Sequence, residues 1–323
     1  MGSQTRQLTV PAEMDGARLD YALARLGDLS RSRARRLIET GQAGRSSETG
    51  GPRVLPRTRV AAGDGVWFIP DRPRVVRPEP IPLDVLFEDS HLAVVNKPAG
   101  MVTHPGPGHR RGTLVSAILD RWPEVEGVGD YPRWGIVHRL DKDTSGVMTV
   151  ALHPDAHRAL GSALAARAVR REYLTLVHGS FHVVAGTIEA PIDRRRARRF
   201  VGPAGKPAVT HYRRLANWSR PSLSLLEVRL ETGRTHQIRV HMESIGRHLV
   251  GDPVYGRPAG SGVDPGRVWL HARRLRFSHP VTGAVLDVTA ALPPDLRSSL
   301  AALGRPVLGS LPGHDRAVKG ADE

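Results

Sequence analysis

The stretch Gly135-Ile136-Val137-His138-Arg139-Leu140-Asp141-Lys142-Asp143-Thr144-Ser145-Gly146 runs directly into Val147-Met148-Thr149-Val150-Ala151-Leu152. The second segment is apolar and β-branched over the length of a core strand. The first is polar and bounded by glycines. A loop of this kind, feeding a buried strand, is where a rigid scaffold presents reactive groups. It carries two carboxylates, Asp141 and Asp143, beside the cations Arg139 and Lys142. Residue chemistry alone leaves two readings open: a catalytic loop, or a turn with local Asx hydrogen bonds and surface ion pairs.

Around this loop, strand patterns fall at 92–96, 147–152, 172–178 and 222–230, and helical patterns at 113–120, 154–168 and 235–245. They mix without strict alternation, which points to an α+β fold. In 222–230 the apolar phase slips between Leu225 and Leu226, which predicts a β-bulge. This unit covers 81–302. Before it, 71–80 holds Pro73, Pro78 and Pro80 among basic residues and reads as a stiff linker. Residues 10–70 read as a separate compact unit. There Leu19, Ala22, Leu23 and Leu26 open a helical stripe. Ser30 offers an N-cap to a second helix that Gly41 can end. That helix sets Ala34, Leu37 and Ile38 on one side and Arg31, Arg33, Arg35 and Arg36 among its other positions. Val60, Val66 and Phe68 follow as strand material. Residues 1–9 are expected to be a loose tail and 303–323 a disordered one.

Across 323 residues, Lys plus Arg is 47 against 32 Asp plus Glu, a formal charge of +15. Such an excess draws polyanions. Nearly all of it is arginine, since only Lys97, Lys142, Lys206 and Lys319 are lysines. Arginine forks phosphate and stacks on bases, which suits RNA; an arginine-favouring base composition is the competing source. With no cysteine, thiolate metal sites and disulfides are excluded, and a cytoplasmic location is the simplest expectation. No run of about 20 apolar residues is present, and residues 1–16 lack a basic stretch followed by an apolar core. His153/His157 and His178/His182 have i,i+4 spacing without a third ligand motif, and 202–207 lacks the spacing and hydroxyl of a phosphate loop. No metal and no cofactor is therefore expected.

The loop resembles the signature of the large-subunit ribosomal RNA pseudouridine synthase family (RluA/RluD type), in which His138-Arg139-Leu140-Asp141 ends in the nucleophile. Further blocks of that family recur in order: Phe87 to Gly100, His104-Pro105-Gly106, Arg171-Glu172-Tyr173-Leu174, Gly205-Lys206-Pro207-Ala208, Gly233 to His241, and Gly251-Asp252-Pro253-Val254-Tyr255-Gly256. The resemblance covers about 81–290. It implies a mixed, mostly antiparallel sheet and an enzyme that isomerises uridine in structured RNA, large-subunit ribosomal RNA above all. Residues 10–70 resemble a small α/β S-four-like RNA-binding domain, with a longer turn, 42–51, after the second helix.

The resemblance also implies roles. Asp141 attacks covalently, at the sugar or at the base. Arg239 pairs with it, and Tyr173 stacks on the uracil and helps remove the C5 proton. Arg139 fills the gap left by a flipped nucleotide. His138, Arg234 and His236 in the large unit, with Arg31, Arg33 and Arg36 in the small one, are expected RNA contacts. On the helix at 235–245, Ile238, Met242 and Ile245 are expected to face the core while Arg239 faces the cleft. Surface pairing of Arg239 with Glu243 is the alternative. The run Arg194-Arg195-Arg196-Ala197-Arg198-Arg199 is expected on a loop, against phosphate or as a solvated charge run. RNA is the expected partner and the chain is expected to act as a monomer. Two other classes stay open: a non-catalytic RNA-binding or assembly factor, and a hydrolase built on two carboxylates.

Overall fold

The computed structural model describes residues 5–46, 54–69, 76–106, 108–195, 198–256, 262–312 and 317–319. The chain divides into two compact units, Met1–Val75 and Val76–Glu323.

In the small unit, strand Gly65–Phe68 lies between Arg6–Thr9 and Ala43–Arg45, antiparallel to both. Helices Leu19–Leu26 and Arg31–Glu39 bury Leu19, Ala22, Leu23, Ala34, Leu37 and Ile38 with Val66 and Phe68. Ser30 caps the second helix, its Oγ accepting from the Arg33 amide, and Gly41 follows its end at φ 70°. The expected loose tail is corrected over 6–9. That segment pairs its backbone residue by residue with 65–68, and Val10 beyond it is buried. Four residues gave too short a pattern to reveal a strand. Half of the linker, 71–75, and half of the 42–51 turn, 47–51, lie outside the described residues.

The large unit is built on a sheet of eleven strands among the described residues. Its main path runs Leu308–Gly309, Val209–Ser219, Ser222–Leu230, Arg170–His178, Leu270–Ser278, Ser145–Ala151, Leu92–Lys97 and Asp84–Glu88. Among these described strands, only Leu270–Ser278 and Ser145–Ala151 pair in parallel. Gly146 sits at that junction with φ 120°, and a Cβ there would fall 2.1 Å from the Ala272 carbonyl oxygen. The position where the polar loop enters the sheet is thus closed to any side chain.

Both faces of the sheet are covered. Along Ser222–Leu230, residues Leu226, Val228 and Leu230 join the larger cluster with Tyr173 and Val177. Leu223 and Leu225 join a second cluster with Leu174, Leu176, Trp218 and Trp269, closed by Leu296 and Leu300 of helix Pro294–Ala302. Each buried leucine stabilises by roughly 1.5–3 kcal/mol. Two-sided burial, not a break in this strand, explains the adjacent Leu225 and Leu226. The bulge falls opposite them: Arg214 pairs with Leu226 and Ala216 with Leu225, so the extra residue is Leu215 on the neighbouring strand.

Four further expectations are corrected or trimmed. Helices run Leu114–Arg121 behind the Thr113 cap, Pro154–Ala165, and Gln237–Ser244. Ile245 lies just past the last of these and is 41% exposed, so it does not face the core. The described part of the arginine run lies on paired strands rather than on a loop, Ile192–Arg195 with Arg198–Val201. Finally, the tail is ordered over two stretches. Leu308–Gly309 pairs with Val209–Ser219, aided by Trp218 Nε1 donating to the Gly304 carbonyl, and Ala317–Lys319 pairs with Val285–Thr289. Backbone groups at an open sheet edge recruit such segments whatever their composition.

Candidate active site

The polar loop rests on its own strand and on one lysine. His138 Nε2 accepts from the Thr149 amide at 3.0 Å, so that ring ties the loop to strand Ser145–Ala151. Burial, then the charge of Arg171, depresses its pKa to about 3, which keeps it neutral as an acceptor. Lys97, fully buried, donates to the carbonyls of Pro98 at 2.7 Å, Met101 at 2.9 Å and Lys142 at 3.2 Å. Thr103 Oγ1 donates to the Leu140 carbonyl at 2.9 Å, and the Gly100 amide to Lys142. Residues 97–103 therefore grip the backbone on both sides of Asp141. Burial brings Lys97 down to about 7, against the opposing pull of Asp141 and Asp143.

Asp141 lines a cavity of about 490 Å³ with Tyr173, Arg239, His236 and Arg139. Asp143 is not among the lining residues; its carbonyl instead accepts from Arg267 at 3.0 Å. The two carboxylates that the sequence left alike thus differ in what they face.

Arg239 comes from helix Gln237–Ser244, whose Ile238 and Met242 are buried. Its guanidinium forks onto Asp252, with Nε to Oδ2 and Nη2 to Oδ1 both at 2.7 Å. Nη1 is then aimed at Asp141 Oδ2, 3.4 Å away. Asp252 has no exposed side chain and also accepts from the amides of Val254 and Tyr255 at 2.9 and 3.0 Å. Burial alone would raise its pKa, but Arg239 and these amides lower it below the usual carboxylate value. For Arg239, burial works against the charge, while Asp252 and then Asp141 outweigh it and raise the pKa. The arginine is a fixed cation in a place where water is scarce. Glu243, its alternative partner, pairs with Arg198.

Tyr173 is 6% exposed on strand Arg170–His178. Burial, with Asp141 adding to it, raises its phenol pKa, so the ring carries its proton at neutral pH. His236 caps helix Gln237–Ser244 in the left-handed region at φ 58°. Its Nε2 lies 3.8 Å from Asp141 Oδ2 and its Nδ1 2.9 Å from the Tyr255 hydroxyl. Arg133, Arg139, Arg167 and Arg234 line the cavity as exposed cations, with Arg234 Nε donating to the Pro207 carbonyl. Leu230, Ile238 and Leu270 provide apolar wall. A hollow with apolar wall on one part and exposed arginines around it suits a planar base attached to phosphate.

In the small unit, Arg31, Arg35 and Arg36 are exposed and Arg33 is half-buried. Arg31 approaches Asp20 at 3.6 Å and Arg35 pairs with Glu39. Sequence reasoning gave no role to Lys97, Asp252 or Tyr255, although each lies in one of the family-like blocks. A lysine retained inside an apolar strand of an arginine-rich chain was the signal for Lys97. Among the described residues, no group of three or more His, Asp or Glu is placed to hold a metal, and no helix is long and apolar enough to cross a membrane.

Residues 91–244 match the family model described as RNA pseudouridylate synthase. The chain is 44% identical over 317 residues to "Ribosomal large subunit pseudouridine synthase D" of Xylella fastidiosa, covering 93% of this chain and 92% of that one. It is 47% identical over 302 residues to an RNA pseudouridine synthase of Chloroflexus aurantiacus, covering 91% and 92%. The solved structure titled "Human RNA Pseudouridylate Synthase Domain Containing 1" superposes with a TM-score of 0.54 at 28% identity, over 71% of this chain and 90% of that one. The carboxylate loop and every residue lining its cavity except Leu270 lie within 91–244, and the likeness extends over nearly the whole chain: it belongs to the RNA pseudouridine synthase family.

Proposed function

We propose that this isomerase converts uridines of structured large-subunit ribosomal RNA to pseudouridine, with Asp141 as nucleophile. The observation that carries the reading is the third Arg239 nitrogen, aimed at Asp141 inside the cavity by a fork fixed on Asp252. A carboxylate attacks only while ionised, and a guanidinium that stays charged faces Asp141 at 3.4 Å. In the reaction the C1′–N1 bond breaks, a C1′–C5 bond forms, C5 loses a proton and N1 gains one. Asp141 supplies the transient bond, at the sugar or at the base.

The buried Tyr173 ring is suited to stack against uracil while it turns. Its oxygen, in the same cavity as Asp141, helps remove the C5 proton. Arg139, exposed two residues before Asp141, fills the stack that the nucleotide leaves, a vacancy that costs about a few kcal/mol to open. Arg234, His236 and His138 contact the RNA at the cavity, His138 also tying the loop to its strand through Nε2. The unit over 10–70 adds affinity through Arg31, Arg33 and Arg36, joined to the catalytic unit through 71–80; the protein works as a monomer in the cytoplasm. Ribosomal RNA as substrate rests on the names of the relatives and on the excess of arginine. Pseudouridine mapping in RNA from cells with and without the gene tests it: sites lost only from large-subunit RNA are expected, whereas losses confined to transfer RNA would overturn the substrate. Activity in EDTA, on RNA folded beforehand, is expected to be undiminished.

A further inference from the structure

The Tyr255 side chain is 1% exposed, yet it stands between three functional groups. Its ring lies under the guanidinium of Arg239 at 5.0 Å and that of Arg198 at 5.3 Å. Its hydroxyl oxygen accepts from the Arg199 amide at 3.1 Å and meets His236 Nδ1 at 2.9 Å. A backbone amide can only donate, so the bond from Arg199 uses an oxygen lone pair. The hydroxyl still has a proton to place, and a buried donor needs an acceptor. His236 Nδ1 is the acceptor within reach.

We propose that Tyr255 locks the tautomer of His236, and that the Nε2–H so fixed holds the nucleophilic carboxylate. Nδ1 accepts from the phenol, so the single proton of the neutral ring sits on Nε2, facing Asp141 Oδ2 at 3.8 Å. The opposite tautomer would set the Nε2 lone pair against that oxygen. The ring is neutral in this setting: burial, with Arg239 and Arg199 nearby, lowers its pKa against the pull of Asp141 and Asp252. The separation is longer than a hydrogen bond, and contacts of this kind shorten when substrate closes the site. Both Arg239 Nη1 and His236 Nε2 converge on Oδ2, which leaves Oδ1 as the attacking atom. The left-handed backbone of His236 is the strain that aims the ring; such strain persists where the surroundings enforce it. Tyr255 is a positioning residue here, acting through His236.

This rests on Asp141 as nucleophile, but its first test does not. Long-range 1H–15N correlations on the full-length protein at neutral pH report the tautomer, with the His236 signals assigned by their loss in His236→Gln. The Nε2-protonated form is expected in wild type, and a mixture in Tyr255→Phe. Single-turnover rates at saturating RNA follow. Gln keeps a donor near the Nε2 position, whereas Asn keeps only atoms near Nδ1. The Asn variant should therefore be about tenfold slower than the Gln variant, with RNA affinity the same in both. Tyr255→Phe should cost about tenfold in wild type and almost nothing in the His236→Gln background. An Nδ1-protonated ring in wild type, or an equal cost of Tyr255→Phe in both backgrounds, overturns the lock. Failure of the nucleophile reading appears separately, as an active Asp141→Asn.

Discussion

Helix Arg31–Glu39 and helix Gln237–Ser244 both carry arginine, one mainly towards solvent and the other towards a buried carboxylate. On the first, Arg35 meets Glu39 at the surface, where such a pair contributes about 0–1 kcal/mol, and the exposed Arg31 approaches the buried Asp20 only to 3.6 Å. On the second, Arg239 is held by a fork at 2.7 Å and has one nitrogen left for Asp141. Exposed arginines attract RNA over a distance and are screened by salt. A buried one, already paired on two of its nitrogens, fixes charge where a covalent bond must form. On the proposed function, burial and partners alone divide the same residue type between affinity and chemistry.

The sharpest way to break this contrast is Arg239→Gln. It strands Asp252 as an unpaired buried charge, so stability should fall by about 3–5 kcal/mol. The rate at saturating RNA should drop by about a thousandfold. Arg239→Lys should not rescue it, since an ammonium cannot fork onto Asp252 and still reach Asp141. Calorimetry and single-turnover rates check both. Asp252→Asn comes next: it keeps the shape but loosens the fork, and misplacing Nη1 should slow turnover by up to about 100-fold with RNA affinity unchanged. A matching loss of affinity would mean that Asp252 serves RNA binding instead.

Lys97 sharpens the comparison through pH. Its folded pKa, about 7, lies below the ordinary 10.5, so above pH 7 the unfolded chain holds protons that the folded one has released. Stability should therefore rise with pH from about 7 towards 10.5 in wild type relative to Lys97→Met. Denaturant titrations at several pH values measure it; parallel curves for the two proteins would contradict it. The smallest effect belongs to the exposed helix. Replacing Arg31, Arg33 and Arg36 with Ala should lower the log–log salt slope of RNA binding by ~0.7–0.9 for each phosphate these arginines neutralise, with the saturated rate unchanged.

How far the sequence reached follows the same division. The core strands and the second helix of the small unit were legible because apolar periodicity and a serine cap are local signals. Asp141, Tyr173 and Arg239 were singled out by family pattern, and the structure brings these three to one cavity. The partners of Arg239 were not legible, since Asp252 and Tyr255 reach it through tertiary packing, across 13 residues in the case of Asp252. Strand Arg6–Thr9 and the pairing of Leu308–Gly309 were missed for another reason: sheet edges pair through backbone, which composition does not encode. Ile245 failed because the helix ends at Ser244, one residue short of the extrapolated face.

The central claim is that of two carboxylates two residues apart, the one lining the cavity attacks. Pseudouridine formed by Asp141→Asn and by Asp143→Asn, on the same RNA at saturating enzyme, tests it most directly. Asp141→Asn should form none while binding RNA within a few-fold of wild type, and Asp143→Asn should remain active. Turnover by Asp141→Asn, or its complete absence in a folded Asp143→Asn that still binds RNA, would contradict the account.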